Sequence, residues 1–178
     1  MQLNVISSKA LKLLQNIKSL DKINKILLPL NEEFKTDDPY EYFSIKDYYP
    51  FVYEDAISVL IELSIMLRRE AEQLEKYGES INKRVKYSNV AKYKFSNKDI
   101  SFSDVLSKII HSHKISFQMK DKNGDVGYGY EIDRNCSFTG MAVIEGKEKD
   151  GSDYQVIVDV EKLCVNAFMV GADKYCMI

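Results

Sequence analysis

Residues from Val52 to Tyr77 carry apolar side chains at the spacing of an α-helix, and this pattern constrains the fold more than any other feature. One stripe along the helix consists of Ala56, Val59, Leu60, Leu63, Leu67, Ala71 and Leu74. A second stripe on its first half consists of Ile57, Ile61 and Ile65. A helix that is apolar on two faces lies between neighbouring elements. The rest of the chain must therefore supply the surfaces that pack against this helix. Gly78 is placed to end the helix.

A second helix is predicted over residues 7–28. Ser7 or Ser8 can cap its first turn, because a short side-chain oxygen accepts a hydrogen bond from an otherwise unpaired backbone N–H. Pro29 ends the pattern, since proline lacks an N–H and disfavours helix in the residue before it.

The second half of the chain reads as two hairpins between two helices. A short helix capped by Ser103 comes first ("SFSDVLSKIIHSH"), and an amphipathic helix from Val160 to Phe168 comes last. The strands "KISFQMK" and "VGYGYEID" flank "DKNGD", in which Asn-Gly readily takes the positive φ angles of a hairpin turn. The strands "FTGMAVIEG" and "DYQVIVDV" flank "KEKDGS" as a second hairpin.

This order of elements predicts an α+β fold, in which N-terminal helices pack with a small antiparallel sheet of about four strands and a C-terminal helix. We divide the chain into a helical part (1–80), a basic linker (81–101) and a helix–sheet–helix part (102–178). The 178 residues suit one domain, or two small units that share a core.

Charge and cysteine usage indicate a cytoplasmic protein. The formal net charge of −2 argues against a general binder of nucleic acid or of anionic membranes. The sequence holds neither an apolar run long enough to cross a bilayer nor the pattern of a signal peptide. Its three cysteines, Cys136, Cys164 and Cys176, are widely spaced and odd in number, which favours reduced thiols.

Two short patterns resemble metal sites but lack ligands. Asp121, Asn123 and Asp125 occupy the first, third and fifth positions of a calcium loop, but the sixth and twelfth positions hold no glycine or glutamate. His111 and His113 end a helix without further ligands at metal spacing. We therefore expect a hairpin turn and helix-end histidines, with no metal and no cofactor.

An enzymatic alternative rests on Asp133 followed by Glu145 and Lys147. This order is similar to the PD-(D/E)xK nucleases, in which two carboxylates hold a divalent ion and the lysine activates water. The pattern departs from that family because no proline precedes Asp133 and Glu145 falls at the mouth of the second hairpin.

A nucleic-acid-binding alternative rests on residues 83–98. This segment interleaves Tyr87, Tyr93 and Phe95 with basic residues, and charge with stacking rings is what single-stranded sites use. Such a run is also typical of a solvated loop, and we interpret it as the basic linker.

The stretch from Asn31 to Asp55 has the strongest functional signal. It holds eight acids against two lysines, together with eight aromatic residues. Phe51 and Tyr53 adjoin the long helix and are expected to pack beneath it. The remaining rings are harder to bury among carboxylates, and surface aromatics with surrounding acids favour the docking of a basic partner. The predicted docking residues are Asp37, Asp38, Tyr40, Glu41, Tyr42, Asp47 and Tyr48.

This profile resembles the immunity proteins of bacterial toxin–immunity pairs, including those of contact-dependent growth inhibition. The resemblance is one of size, acidity and absence of catalytic motifs, and it carries over no functional residue. It implies a non-enzymatic protein that binds a basic toxin domain stoichiometrically and neutralises it.

Overall fold

The structure is a computed structural model that describes residues 2–22, 45–120, 126–128 and 137–172. In these residues the helices are α1 (Gln2–Lys22), α2 (Ile45–Lys76), α3 (Phe102–Ile110) and α4 (Val160–Ala172), with a 3-10 turn at Ile81–Lys83. The strands are β1 (Ala91–Tyr93), β2 (Asp99–Ile100), β3 (Ser112–Lys120), β4 (Val126–Tyr128), β5 (Ser137–Lys147) and β6 (Asp153–Asp159).

The described strands form one antiparallel sheet in the order β2-β1-β6-β5-β3-β4. The predicted α+β class and both predicted hairpins, β3–β4 and β5–β6, are confirmed. The turn between β3 and β4, which contains the calcium-like pattern at 121–125, lies outside the described residues. The sheet has six strands and not about four, because the basic segment contributes β1 and β2.

The prediction of an irregular linker at 81–98 is wrong where this segment joins the sheet. β1 pairs with β6 through Ala91 and Val158, and Val90 is buried beside it. Ile81, in the 3-10 turn, also enters the core. Single apolar residues among lysines give no strand periodicity, so the pairing with β6 that holds β1 is invisible in the local sequence.

A single hydrophobic cluster includes residues from both halves of the chain. α1 packs against α2 and α4. The predicted first stripe of α2 is buried from Ala56 to Ala71, and Leu74 packs against it half-buried. From the sheet, the same cluster takes alternate residues of neighbouring strands: Ala142, Ile144, Val156 and Val158.

Helix α2 begins at Ile45, earlier than the predicted Val52, and it continues through Pro50. Pro50 lies in the second turn, where a proline removes one backbone hydrogen bond and its ring crowds the carbonyl four residues earlier. The local sequence therefore favours a later start, and the buried turns that follow must outweigh this cost. Its end is as predicted. Gly78 has a φ of +74°, and its N–H donates to Glu75, which closes the last turn.

The cap of α3 lies two residues before the predicted one. Ser101, not Ser103, is the capping residue, and its hydroxyl accepts from the N–H of Asp104 at 3.2 Å. Both serines precede the apolar residues by a suitable distance, so the sequence alone does not separate them.

Tyr53 joins α2 to β3. Its ring packs edge-on against the ring of Phe117, with 5.2 Å between the ring centres. Phe117 packs in the same way against Phe138, with 5.3 Å between the ring centres. The Tyr53 hydroxyl oxygen accepts from the backbone N–H of Phe117 at 2.9 Å. Burial raises the pKa of Tyr53, so the phenol remains neutral and holds this contact at physiological pH.

Asn166 of α4 anchors the basic segment. Its side-chain carbonyl accepts from the N–H of Tyr87 at 2.9 Å, and its amide donates to the C=O of Tyr87 at 2.8 Å. Asn166 is fully buried. The amide thus satisfies both backbone groups of one residue at a place where no strand pairs with it.

Substitution of Asn166 should destabilise the fold. In Asn166→Ala, the backbone N–H and C=O of Tyr87 both lose their partners, and we expect a loss of about 3 kcal/mol in the free energy of unfolding. Urea denaturation followed by circular dichroism measures this loss. Asn89→Ala, at an exposed position of the same segment, is the matched control and should change little. Equal stability of the two variants would contradict the anchoring role.

Cys164 should resist thiol reagents while the protein is folded. Burial raises the pKa of this free thiol to about 12, and only the thiolate reacts. Because the unfolded thiol ionises at its lower, ordinary pKa, stability should fall as the pH rises through that range towards 12. In a variant with Cys136→Ser and Cys176→Ser, a chromogenic disulfide reagent should detect no thiol until denaturant is added. Rapid labelling of the native protein would exclude this burial.

Candidate functional site

Five of the seven predicted docking residues lie outside the residues that the structure describes: Asp37, Asp38, Tyr40, Glu41 and Tyr42. Asp47 and Tyr48 belong to the first turns of α2. Their side chains also fall outside the described part of the chain. The predicted set therefore stays a prediction, and the described residues that follow it in the sequence belong to α2.

The outer face of α2 carries apolar side chains that the core does not cover. Phe51 is 70% exposed, so the prediction that it packs beneath the helix is wrong. It lies about 200° around the helix from Tyr53, which takes the buried position. Glu54 is exposed one turn after Phe51. The second stripe, Ile57, Ile61 and Ile65, is half-buried.

A groove of about 390 Å³ separates this face of α2 from the first half of β3. We call it the edge groove. Its described lining consists of Tyr53, Glu54, Ile57 and Ile61 on α2 and residues 112–116 on β3. The residues of β3 were missed by sequence reasoning. The sequence predicts that the Ile57–Ile61–Ile65 stripe is buried between neighbouring elements, but Ile57 and Ile61 line this groove.

Acids on the α1 side of α2 are neutralised within the fold. Lys12 donates to Asp55 at 2.9 Å, and the Asn16 amide donates to the same carboxylate at 2.8 Å. The hydrogen bond from Lys12 lowers the pKa of Asp55. Lys9 pairs with Glu62. These contacts join α1 to α2 and leave little charge for an external partner.

Glu54 differs from those acids, because it makes no ion pair or hydrogen bond with another described residue. Across the groove, Lys114 lies 3.4 Å from Glu145 on the neighbouring strand. His113 is exposed at the groove. The edge groove therefore combines an apolar floor with one carboxylate that pairs with no other described residue.

A second cavity, of about 910 Å³, surrounds Lys108. The Lys108 ammonium pairs with Glu148 and lies 4.1 Å from the centre of the Tyr154 ring. Tyr154 donates to the backbone C=O of Lys108 at 2.9 Å, and Tyr93 donates to Glu148 at 3.2 Å.

The contacts of Lys108 with Glu148 and Tyr154, which we call the brace around Lys108, stabilise the fold. Burial alone would lower the pKa of Lys108, but the hydrogen bond that Lys108 donates to Glu148 and the adjacent Tyr93 outweigh it, and the pKa is raised. The amine stays protonated and cannot serve as a base or nucleophile near neutral pH. The contacts join α3 to the β5–β6 hairpin.

The described residues of the nuclease-like pattern form ion pairs between strands of the sheet. Glu145 and Lys147 lie two residues apart on β5, and each pairs with a neighbouring strand, Glu145 with Lys114 and Lys147 with Asp153 at 3.1 Å. Asp133 lies outside the described residues. Within the described part of the chain, no group of three or more acidic, histidine or cysteine side chains is placed to hold a metal ion.

Two of the three aromatic rings in the basic segment contact other side chains of the fold. Tyr87 is half-buried against Lys86 and Lys162, and Tyr93 contacts Glu148. Phe95 is 84% exposed with the Lys94 ammonium 5.7 Å from its ring centre. One exposed ring is fewer than the successive stacking positions that single-stranded sites use.

Comparison of the chain with protein families, with curated proteins and with solved structures found no match. None of the described helices is both long enough and apolar enough to span a bilayer.

Gly146 should tolerate no side chain. A Cβ there would lie 2.3 Å from the hydroxyl oxygen of Tyr154, so Tyr154 must leave its contact with Lys108. We expect Gly146→Ala to lower the free energy of unfolding by about 1–3 kcal/mol, as measured by urea denaturation. Gly127→Ala, where a Cβ meets no atom within 4 Å, is the control. A stable Gly146→Ala protein would show that the brace around Lys108 can rearrange without cost.

Proposed function

We propose that this chain is a non-enzymatic protein-binding protein, and that it acts as an immunity protein by neutralising a basic toxin domain through stoichiometric contact. The observation that carries the proposal is the pair of half-buried isoleucines, Ile57 and Ile61, that lines the edge groove. An apolar face of this kind gains stability when a partner removes it from water.

Phe51 and Glu54 supply the other two features of a protein interface. An exposed aromatic ring buries a large area with little loss of side-chain freedom, and such rings carry much of the energy at interfaces. The uncompensated carboxylate of Glu54 would attract a basic partner and raise its association rate. Both residues belong to the acidic aromatic stretch of residues 31–55, so the described surface extends the predicted one.

We also place the protein in the cytoplasm. The thiol of Cys164 is free and buried, and unpaired cysteines are usual where the compartment keeps thiols reduced. A toxin delivered into the cell would be met there.

The proposal is tested by capture and then by neutralisation. The tagged protein is used to isolate partners from cells that encode it, in moderate salt, and the affinity for any basic partner protein is measured by calorimetry. Glu54→Lys and Phe51→Ser should each weaken binding at least about tenfold, because a like charge or a lost ring falls at the interface. They should also reduce protection against the partner's toxic activity.

Two matched variants control for charge and for loss of an exposed ring. Glu75→Lys reverses an exposed acid on the last turn of α2, and Phe95→Ser removes the exposed ring of the basic segment. Both should bind as the wild type does. A partner that is bound equally by all four variants would remove the outer face of α2 from consideration, and a partner whose activity is unaffected by binding would contradict the immunity function.

A further inference from the structure

The cavity of about 910 Å³ around Lys108 lies among α2, α3 and the β5–β6 hairpin. α2 contributes Arg68, α3 and its last turn contribute Ser107, Lys108 and His111, and the hairpin contributes Lys149. Ser107 and His111 are four residues apart, so they lie on the same face of the helix. The volume falls in the range of small-molecule sites, about 300–1,000 Å³.

The carboxylates that line this cavity already accept hydrogen bonds from the fold. A neighbouring serine hydroxyl donates to Asp104 at 2.6 Å. Asp150 accepts from the backbone N–H of Ser152 at 2.9 Å and from its hydroxyl at 2.6 Å. The third carboxylate, that of Glu148, belongs to the brace around Lys108. Acids that are occupied in this way have little capacity left to hold a cation.

The basic side chains of the cavity keep unused donors. Arg68 donates through Nε to Glu72 at 3.2 Å, and this contact leaves both terminal nitrogens of the guanidinium free to donate. The side chains of Ser107, His111 and Lys149 make no ion pair or hydrogen bond with another described residue. The cavity therefore offers more hydrogen-bond donors than acceptors, which suits an anion.

We propose that this cavity binds a small organic phosphate. Its phosphate group accepts hydrogen bonds from Arg68, Ser107, His111 and Lys149, and its organic part lies beside the tyrosine rings that line the cavity. A phosphate monoester presents three terminal oxygens and up to two negative charges, so it can use donors from three separate elements, whereas a carboxylate presents two oxygens. Arginine also binds phosphate through paired N–H groups. This inference goes beyond the proposed protein-binding function and does not depend on it.

The brace around Lys108 holds one wall of the cavity in place before any ligand binds. The Lys108 side chain is only 14% exposed, and its ammonium is fixed by Glu148 and by the Tyr154 ring. The Tyr154 hydroxyl also donates to the backbone C=O of Lys108. A wall that is already ordered loses no side-chain freedom on binding, so the ligand has to order only the outer donors.

The first test measures binding to the intact protein by calorimetry, in a buffer that contains no phosphate. The probes are inorganic phosphate, ribose 5-phosphate and adenosine monophosphate, and adenosine is the control without a phosphate group. We expect the organic phosphates to bind with a Kd of about 1 mM or tighter, and adenosine and inorganic phosphate to bind at least about tenfold more weakly. Tighter binding of adenosine monophosphate identifies a nucleotide as the ligand, and equal binding of the two organic phosphates identifies a sugar phosphate.

Substitutions at Arg68 and its neighbours locate the site. Arg68→Gln should weaken binding of the tighter organic phosphate at least about tenfold, because the guanidinium donors are lost. Arg69→Gln removes the same charge at an exposed position outside the cavity lining, so its affinity should equal that of the wild type. Glu72→Gln removes the ion-pair partner of Arg68 but keeps the guanidinium, and it should bind at least as tightly as the wild type.

The histidines give a second matched pair. His111→Gln should weaken binding, whereas His113→Gln, which alters the edge groove and not this cavity, should not. Circular dichroism should be unchanged in all five variants, since the Arg68–Glu72 ion pair is on the surface and contributes little to stability.

Several results would overturn the phosphate site. These are no binding of either organic phosphate, binding of adenosine as tight as that of adenosine monophosphate, or equal affinities of Arg68→Gln and Arg69→Gln. Inorganic phosphate that binds as tightly as the organic phosphates would show a site for an adventitious ion only. Equal losses in Arg68→Gln and Glu72→Gln would show that the ion pair acts on the structure and that Arg68 does not contact the ligand.

Discussion

The burial of one stripe of α2 fixes the position of the other elements. α1 packs along the helix and neutralises Asp55 and Glu62 beside it. The Tyr53 ring and hydroxyl attach the same helix to β3, where they meet Phe117 from the side and from the strand edge. Because a helix buries only part of its circumference against one core, this arrangement leaves the Ile57–Ile61–Ile65 stripe half-covered.

Most of the fold could be predicted where the relevant physics is local. The helical spacing of apolar residues in α2 and the turn residues of the two hairpins involve only residues that are close in sequence. The helix and both hairpins are confirmed. β1 and β2 could not be predicted, because they depend on pairing with β6 and on a buried amide at Asn166 from a distant part of the chain. The choice between Ser101 and Ser103 as a cap likewise depends on tertiary position.

The candidate site was predictable only in part. The acidic and aromatic character of residues 31–55 predicts a docking surface, and that stays a prediction; Phe51 and Glu54 are exposed members of the stretch on the described part of α2. Patterns that did suggest chemistry, at Glu145 and Lys147, turn out to supply ion pairs across the sheet.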